Sequence, residues 1–201
     1  MLSTRLTFLC RMVLILTLAT TASATTITFD EITAPDGSGF SSYTESGFTV
    51  TPTFGNWVVS SRFGRYIQFH YSLPGPGTDT ASVAVTDAGS TFTFNSLFLY
   101  SSVTPIPWTF TGLLSGNVVF TVSGTVPVTF GNFALAQNPA SNAMIDALQI
   151  TLFNPLPGPA FGPNPVGLDN IVVNPVPEPR SSLLLVGLLA VLAAACKQRC
   201  T

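Results

Sequence analysis

An antiparallel β-sandwich of jelly-roll type is the fold predicted for the central part of this sequence. Three observations predict it. Apolar residues recur at every second position, turn-forming residues separate the runs, and no stretch shows a convincing helical period. In order along the chain, the alternating runs are Thr26-Ile27-Thr28-Phe29, Phe48-Thr49-Val50-Thr51, Ser82-Val83-Ala84-Val85-Thr86 and Thr91-Phe92-Thr93-Phe94, then Thr109-Phe110-Thr111, Phe120-Thr121-Val122-Ser123 and Leu148-Gln149-Ile150-Thr151-Leu152. Alternation puts every second side chain on one face, so each run can cover a core while its Thr/Ser side meets water. Threonine suits that outer position because its branched Cβ favours extended backbone.

The boundaries have a mechanism too. Pro35-Asp36-Gly37-Ser38-Gly39, Pro74-Gly75-Pro76-Gly77, Asp87-Ala88-Gly89, Ser115-Gly116-Asn117 and Gly131-Asn132 combine residues that tolerate positive φ with prolines that preset it. Tyr66–Ser72 reads as a further strand, and the segment Asn142–Leu148 fits either a single helical turn or a strand. The Pro/Gly-rich stretch 154–166 reads as a long loop before a last strand, Gly167-Leu168-Asp169-Asn170-Ile171-Val172-Val173, because an isolated strand needs a sheet to join. Eight to eleven short strands are expected in all.

Composition bounds what such a domain can do. Of the 201 residues, 25–174 form the expected sandwich, and their only cations are Arg62 and Arg65 against eight carboxylates, a net charge of −6 before His70 is counted. Two cations cannot neutralise a row of phosphates, so nucleic acid is a poor partner and anionic membrane surfaces are disfavoured for the same reason. Neutral polysaccharide or a cation remains compatible. Cys10, Cys196 and Cys200 all lie in the terminal segments, so this domain has no disulfide, thiolate nucleophile or cysteine metal ligand. At about 150 residues it is large enough to bury a core without them.

The two ends differ from the middle. Residues 1–24 begin with Arg5 and Arg11, continue through the apolar run Met12–Ala19 and finish on Ala22-Ser23-Ala24. This is the three-part layout of a secretory signal peptide, with cleavage expected between Ala24 and Thr25. The apolar run is too short to span a bilayer, which takes roughly 17–25 residues. At the other end, residues 175–201 hold Val176-Pro177-Glu178-Pro179, the apolar run 183–196 and the basic tail 197–201 with Lys197 and Arg199. The prolines hold the motif extended, and the uninterrupted Leu, Val and Ala are suited to lipid as a short transmembrane helix. Lys197 and Arg199 would stay on the cytoplasmic side, leaving the domain outside.

Motif, apolar helix and basic tail together resemble the PEP-CTERM sorting domain of Gram-negative bacteria. The resemblance covers only the C-terminal segment and concerns address alone. It implies export through the inner membrane, transient anchoring by the C-terminal helix, and recognition of Pro177, Glu178 and Pro179 by an exosortase-type processing enzyme. It further implies release to the cell surface or extracellular space, in organisms that make polysaccharide and biofilm. Arg180, directly after the motif, and a tail of only two cations depart from the family's usual pattern.

Candidate sites in the domain are few. His70 lacks a recognisable nucleophile or orienting partner, so a strand-face role is the expectation, and no pair of carboxylates is singled out by spacing. No catalytic residue is assigned, and the expectation is a protein that is not an enzyme. Asp30, Glu31 and Asp169 would converge if the first and last strands were neighbours. Such oxygen ligands suit a structural Ca²⁺, the plainer reading being solvated or turn-capping acids with no cofactor. Trp57, Tyr66, Tyr71 and Trp108 are the candidates for stacking on sugar rings, set against the commoner fate of aromatics as core. Trp108, beside Pro105 and Pro107, is expected in an exposed loop. The leading functional expectation is a structural or adhesive protein of the surface or matrix. A carbohydrate-binding module is the alternative, and a secreted hydrolase the third reading.

Overall fold

The structure, a computed structural model, describes residues 23–69, 80–155 and 165–176. Residues 1–22 of the expected signal peptide, His70, Tyr71 and the sorting segment from Pro177 onward lie outside the described residues. Among the described residues no helix is long and apolar enough to cross a membrane.

Twelve strands among the described residues form two antiparallel sheets. They are β1 (Thr25–Ile27), β2 (Tyr43–Glu45), β3 (Phe48–Phe54), β4 (Trp57–Ser60), β5 (Tyr66–Phe69), β6 (Thr80–Thr86), β7 (Phe92–Ser101), β8 (Ile106–Leu114), β9 (Asn117–Val126), β10 (Ala134–Gln137), β11 (Ala147–Phe153) and β12 (Val166–Pro175). The first sheet runs β10-β7-β12-β5-β4, with β1 also paired to β12, and the second runs β2-β3-β6-β11-β8-β9. The result is the expected jelly-roll-like sandwich, all-β throughout its described residues.

Five of the seven alternating runs lie within a strand, while Thr26–Phe29 runs two residues past β1 and Thr91 precedes β7; their apolar positions face inward. Val83 and Val85 of β6, Phe92 and Phe94 of β7, Phe110 of β8, and Leu148, Ile150 and Leu152 of β11 are fully buried. Edge-to-face aromatic pairs join the layers. Phe48 of β3 meets Phe92 at 5.3 Å, and Phe94 meets Phe110 at 5.1 Å, the geometry that the ring quadrupoles favour. The β8–β9 hairpin turns on Ser115 and Gly116, both at positive φ, which matches the twist of its flanking strands.

β12 occupies the middle of its sheet. One of its edges pairs with β7 throughout; the other pairs with β5 at Val166–Leu168 and with β1 at 171–173. Where the neighbour changes, the register shifts after Asp169, and Asn170 takes a left-handed φ of 48°. Asparagine tolerates that conformation, so this β-bulge falls on a suitable residue. Glu45 at the end of β2 reaches across to the other sheet. Its carboxylate accepts hydrogen bonds from the Thr28 amide (2.8 Å), the Phe29 amide (3.2 Å) and the Thr28 hydroxyl (3.1 Å). The backbone leaving β1 is thereby tied to β2.

Candidate functional site

The outward positions of the second sheet follow directly from its register. One row crosses five strands as Thr51, Ala84, Gln149, Thr111 and Thr121. A parallel row runs Ser82, Thr151, Thr109 and Ser123, and a third links Thr44, Thr49, Thr86 and Ala147. No charged side chain stands in any of the three. Adjacent strands lie about 4.8 Å apart and alternate residues about 7 Å apart, so the hydroxyls form a shallow two-dimensional array.

Neighbouring hydroxyls bond to each other across the strands. The pairs are Thr44–Thr49 at 3.0 Å, Ser82–Thr151 at 2.9 Å and Thr109–Ser123 at 2.9 Å. A hydroxyl offers one donor and two acceptor lone pairs, so each pair keeps hydrogen-bonding capacity to spare. The exposed members are fixed in place while still able to bond outward, whereas Ser82 is buried. The face can therefore recognise a neutral partner rich in hydroxyls, and has nothing to attract an ion.

The outward face of the first sheet is built differently. Tyr66 and Tyr100 lie over Gly167, where an added Cβ would come within 2.8 Å of the Tyr66 ring and 3.1 Å of the Tyr100 Cβ. Phe133 packs edge-on against Tyr66 at 5.3 Å, and Phe63 against Tyr100 at 5.3 Å. Burial pushes the Tyr66 phenol above its ordinary pKa. This aromatic cluster is a satellite core, closed over by flanking loops.

That placement revises the sugar-stacking residues named from sequence. Trp57 is only 2% exposed and sits between the sheets, while Tyr66 is 1% exposed beneath its aromatic neighbours. Neither ring can offer a face to a sugar. Trp108 is in β8 and not in a loop. Its indole is half-buried, stacked on Phe110 at 4.1 Å and laid over Gly124 of β9, where a Cβ would stand 2.3 Å from the ring. Tyr71 lies outside the described residues.

The acidic residues are likewise accounted for by local structure. β1 does pair with β12, which was the condition for Asp30, Glu31 and Asp169 to meet. Among the described residues, however, no three His, Cys, Asp or Glu side chains gather to hold a metal ion. Asp30 and Glu31 are exposed in the turn after β1. Asp169 sits at the bulge and accepts from the Asn170 amide at 2.8 Å. Burial, with smaller contributions from the charges of Asp30 and Glu45, pushes its pKa up to about 7, against the Asn170 hydrogen bond that lowers it. Asp36 accepts from the Ser61 amide and Asp146 from the Ser115 amide, each at 2.7 Å, so these two anchor turns.

A crevice of about 260 Å³ lies between the 31–43 segment and β4, lined by Ile32, Ala34, Phe40, Tyr43 and Val59, with Glu31 at its rim. It falls below the roughly 300–1,000 Å³ usual for ligand pockets. The Tyr43 hydroxyl is sealed from water without completing a hydrogen bond of good geometry. Burial first, then the nearby Glu45 charge, pushes its phenol up to about 12.

Neither a family model nor a curated protein matches the chain. Solved structures do resemble it. An arabinose-bound α-L-arabinofuranosidase aligns at a TM-score of 0.46 and 14% identity over 74% of this chain, which spans only 25% of that enzyme. A family 29 carbohydrate-binding module from Piromyces equi aligns at 0.45 and 10% identity, over 77% of this chain and 91% of the module. A DUF4465 family protein from Bacteroides caccae aligns at 0.42 and 10% identity, over 75% and 98%. At these scores the likeness carries no weight for function.

The hydroxyl face was missed as a site from sequence, although its residues were read as the solvent side of their strands. The available signal was the repetition of Thr-x-Thr or Ser-x-Thr in Thr49–Thr51, Thr109–Thr111 and Thr121–Thr125. Only the strand order turns those separate repeats into one surface.

Proposed function

We propose that this chain is an exported, non-catalytic β-sandwich that holds neutral polysaccharide on the outer face of its second sheet. The observation that carries the reading is the charge-free hydroxyl array from β3 to β9, in a domain whose acids mostly lie elsewhere, at turns and strand ends. The sorting segment supports the address: Pro177, Glu178 and Pro179 would present the chain to an exosortase-type enzyme while the apolar helix holds it at the inner membrane. The domain would then act at the surface or in the matrix as an adhesive component.

Thr111→Val with Thr151→Val removes two hydroxyls from the array while keeping shape and strand preference. Each outward hydrogen bond contributes about 0.5–1.5 kcal/mol, so retention on neutral polysaccharide in affinity electrophoresis should weaken roughly tenfold. Unchanged retention would remove this face from the proposal. For the address, Glu178→Ala should make the unprocessed, membrane-held form accumulate in the native host. Normal processing of that variant would overturn the sorting assignment.

A further inference from the structure

Among the described residues the sheet edges are treated unequally, β1 adding only a three-residue one. A bare strand edge exposes unpaired N–H and C=O groups that template pairing with another chain, and natural sheets blunt such edges. Here β2 is three residues long and β10 four. β4 is covered by the 37–40 segment, through hydrogen bonds from the Gly37 amide to Val59 (2.8 Å), the Val59 amide to Ser38 (2.9 Å) and the Phe40 amide to Trp57 (2.8 Å). Among the described residues β9 has no such pairing along its outer edge. It is ten residues long, carries no charge and no proline, and pairs only with β8 among the described residues. A bulge at Val119 marks its start, and Phe120–Val126 then run in unbroken register. Val118 is 63% exposed and Val119 44%.

We propose that β9 is a self-pairing edge, joining two copies of this chain antiparallel about a two-fold axis perpendicular to the sheet. Charge selects the partner. The domain carries eight acids against two arginines, so most approaches between copies meet like charge, whereas β9 and the rows beside it carry none. The strand brings β-branched Thr121, Val122, Thr125 and Val126 to the junction, which favours extended pairing. A two-fold of this orientation keeps the faces aligned. Thr121, Ser123 and Thr125 of both copies then lie on one side, and two six-stranded hydroxyl faces become a single surface. The pairing itself does not depend on polysaccharide.

The test is sedimentation velocity of the full chain in mild detergent, without polysaccharide, over a concentration series. Dimers should appear in the micromolar range. Thr121→Lys with Ser123→Lys should shift the midpoint at least tenfold toward monomer. Thr49→Lys with Thr51→Lys, on the same face but away from the edge, should leave it in place. A monomer at every concentration overturns the proposal, as does a Lys edge variant with an unchanged circular dichroism spectrum that dimerises like the parent. Association seen only after polysaccharide is added overturns it as well. Amide hydrogen exchange on the unaltered chain avoids any folding defect: alternate amides of β9 should gain protection as concentration rises. Exchange independent of concentration counts against self-pairing.

Discussion

The two outward faces of this sandwich solve the same problem in opposite ways. On the first sheet, Gly167 makes room for Tyr66 and Tyr100, and Phe63 and Phe133 close over them, so the face becomes core. On the second, every strand turns small hydroxyl side chains outward, and apart from the buried Ser82 they stay at least partly open. The contrast shows where tolerance to change should lie. The aromatic face contributes stability and should resist substitution, whereas the hydroxyl face should accept changes that leave folding intact while altering what the surface touches.

The strongest way to break this contrast is Gly167→Val. Its side chain would collide with the Tyr66 ring and the Tyr100 Cβ, and overpacking of this kind costs about 1–3 kcal/mol. A lowered midpoint in thermal unfolding checks it, and an unshifted midpoint would mean the cluster is loosely packed. Glu45→Ala comes next. It leaves the Thr28 and Phe29 amides without their acceptor, at about 1–3 kcal/mol by denaturant titration.

Asp169 gives a smaller effect with a definite sign. Its folded pKa of about 7 stands above the ordinary 3.8, so the folded protein keeps a proton that the unfolded chain releases. The stabilisation from that proton is complete below pH 4, declines as pH rises toward 7, and is absent above. Asp169→Asn should therefore remove the slope, and its stability relative to the parent should improve from pH 4 to pH 8. Because the group is partly open to water, the gain is on the order of 1 kcal/mol. An identical pH profile in the two proteins would contradict it. The smallest effect belongs to the hydroxyl face. Thr111→Val should move the unfolding free energy by no more than about 0.5 kcal/mol. A large loss there would show that the array holds the sheet together and would erase the difference between the faces.

Much of the fold was legible because periodicity two is a local signal. All seven alternating runs overlap strands, although Thr26–Phe29 leaves β1 after Ile27, and the turns at Asp87–Gly89 and Ser115–Asn117 lie where expected. β4 was missed because Trp57-Val58-Val59-Ser60 does not alternate, and it has buried residues on both faces. β2 and β10 are too short to show a period, which is why twelve strands appear where eight to eleven were expected. The candidate site was less legible. Which aromatic is core depends on what packs above it, and Trp57 and Tyr66 are buried by loops and strands distant in sequence. Glu45 gave no sign of its role, since its two amide partners lie sixteen and seventeen residues upstream.

The position of β12 has a consequence for how the molecule is made. This central strand, flanked by β7 on one side and by β5 and β1 on the other, is the last of the twelve to leave the ribosome. Until it arrives, β7 and β5 have no common neighbour, β1 has nowhere to dock, and half the sandwich stays open. The first sheet therefore cannot close until most of the domain has been made, and the ten-residue strand β12 acts as the keystone that locks it.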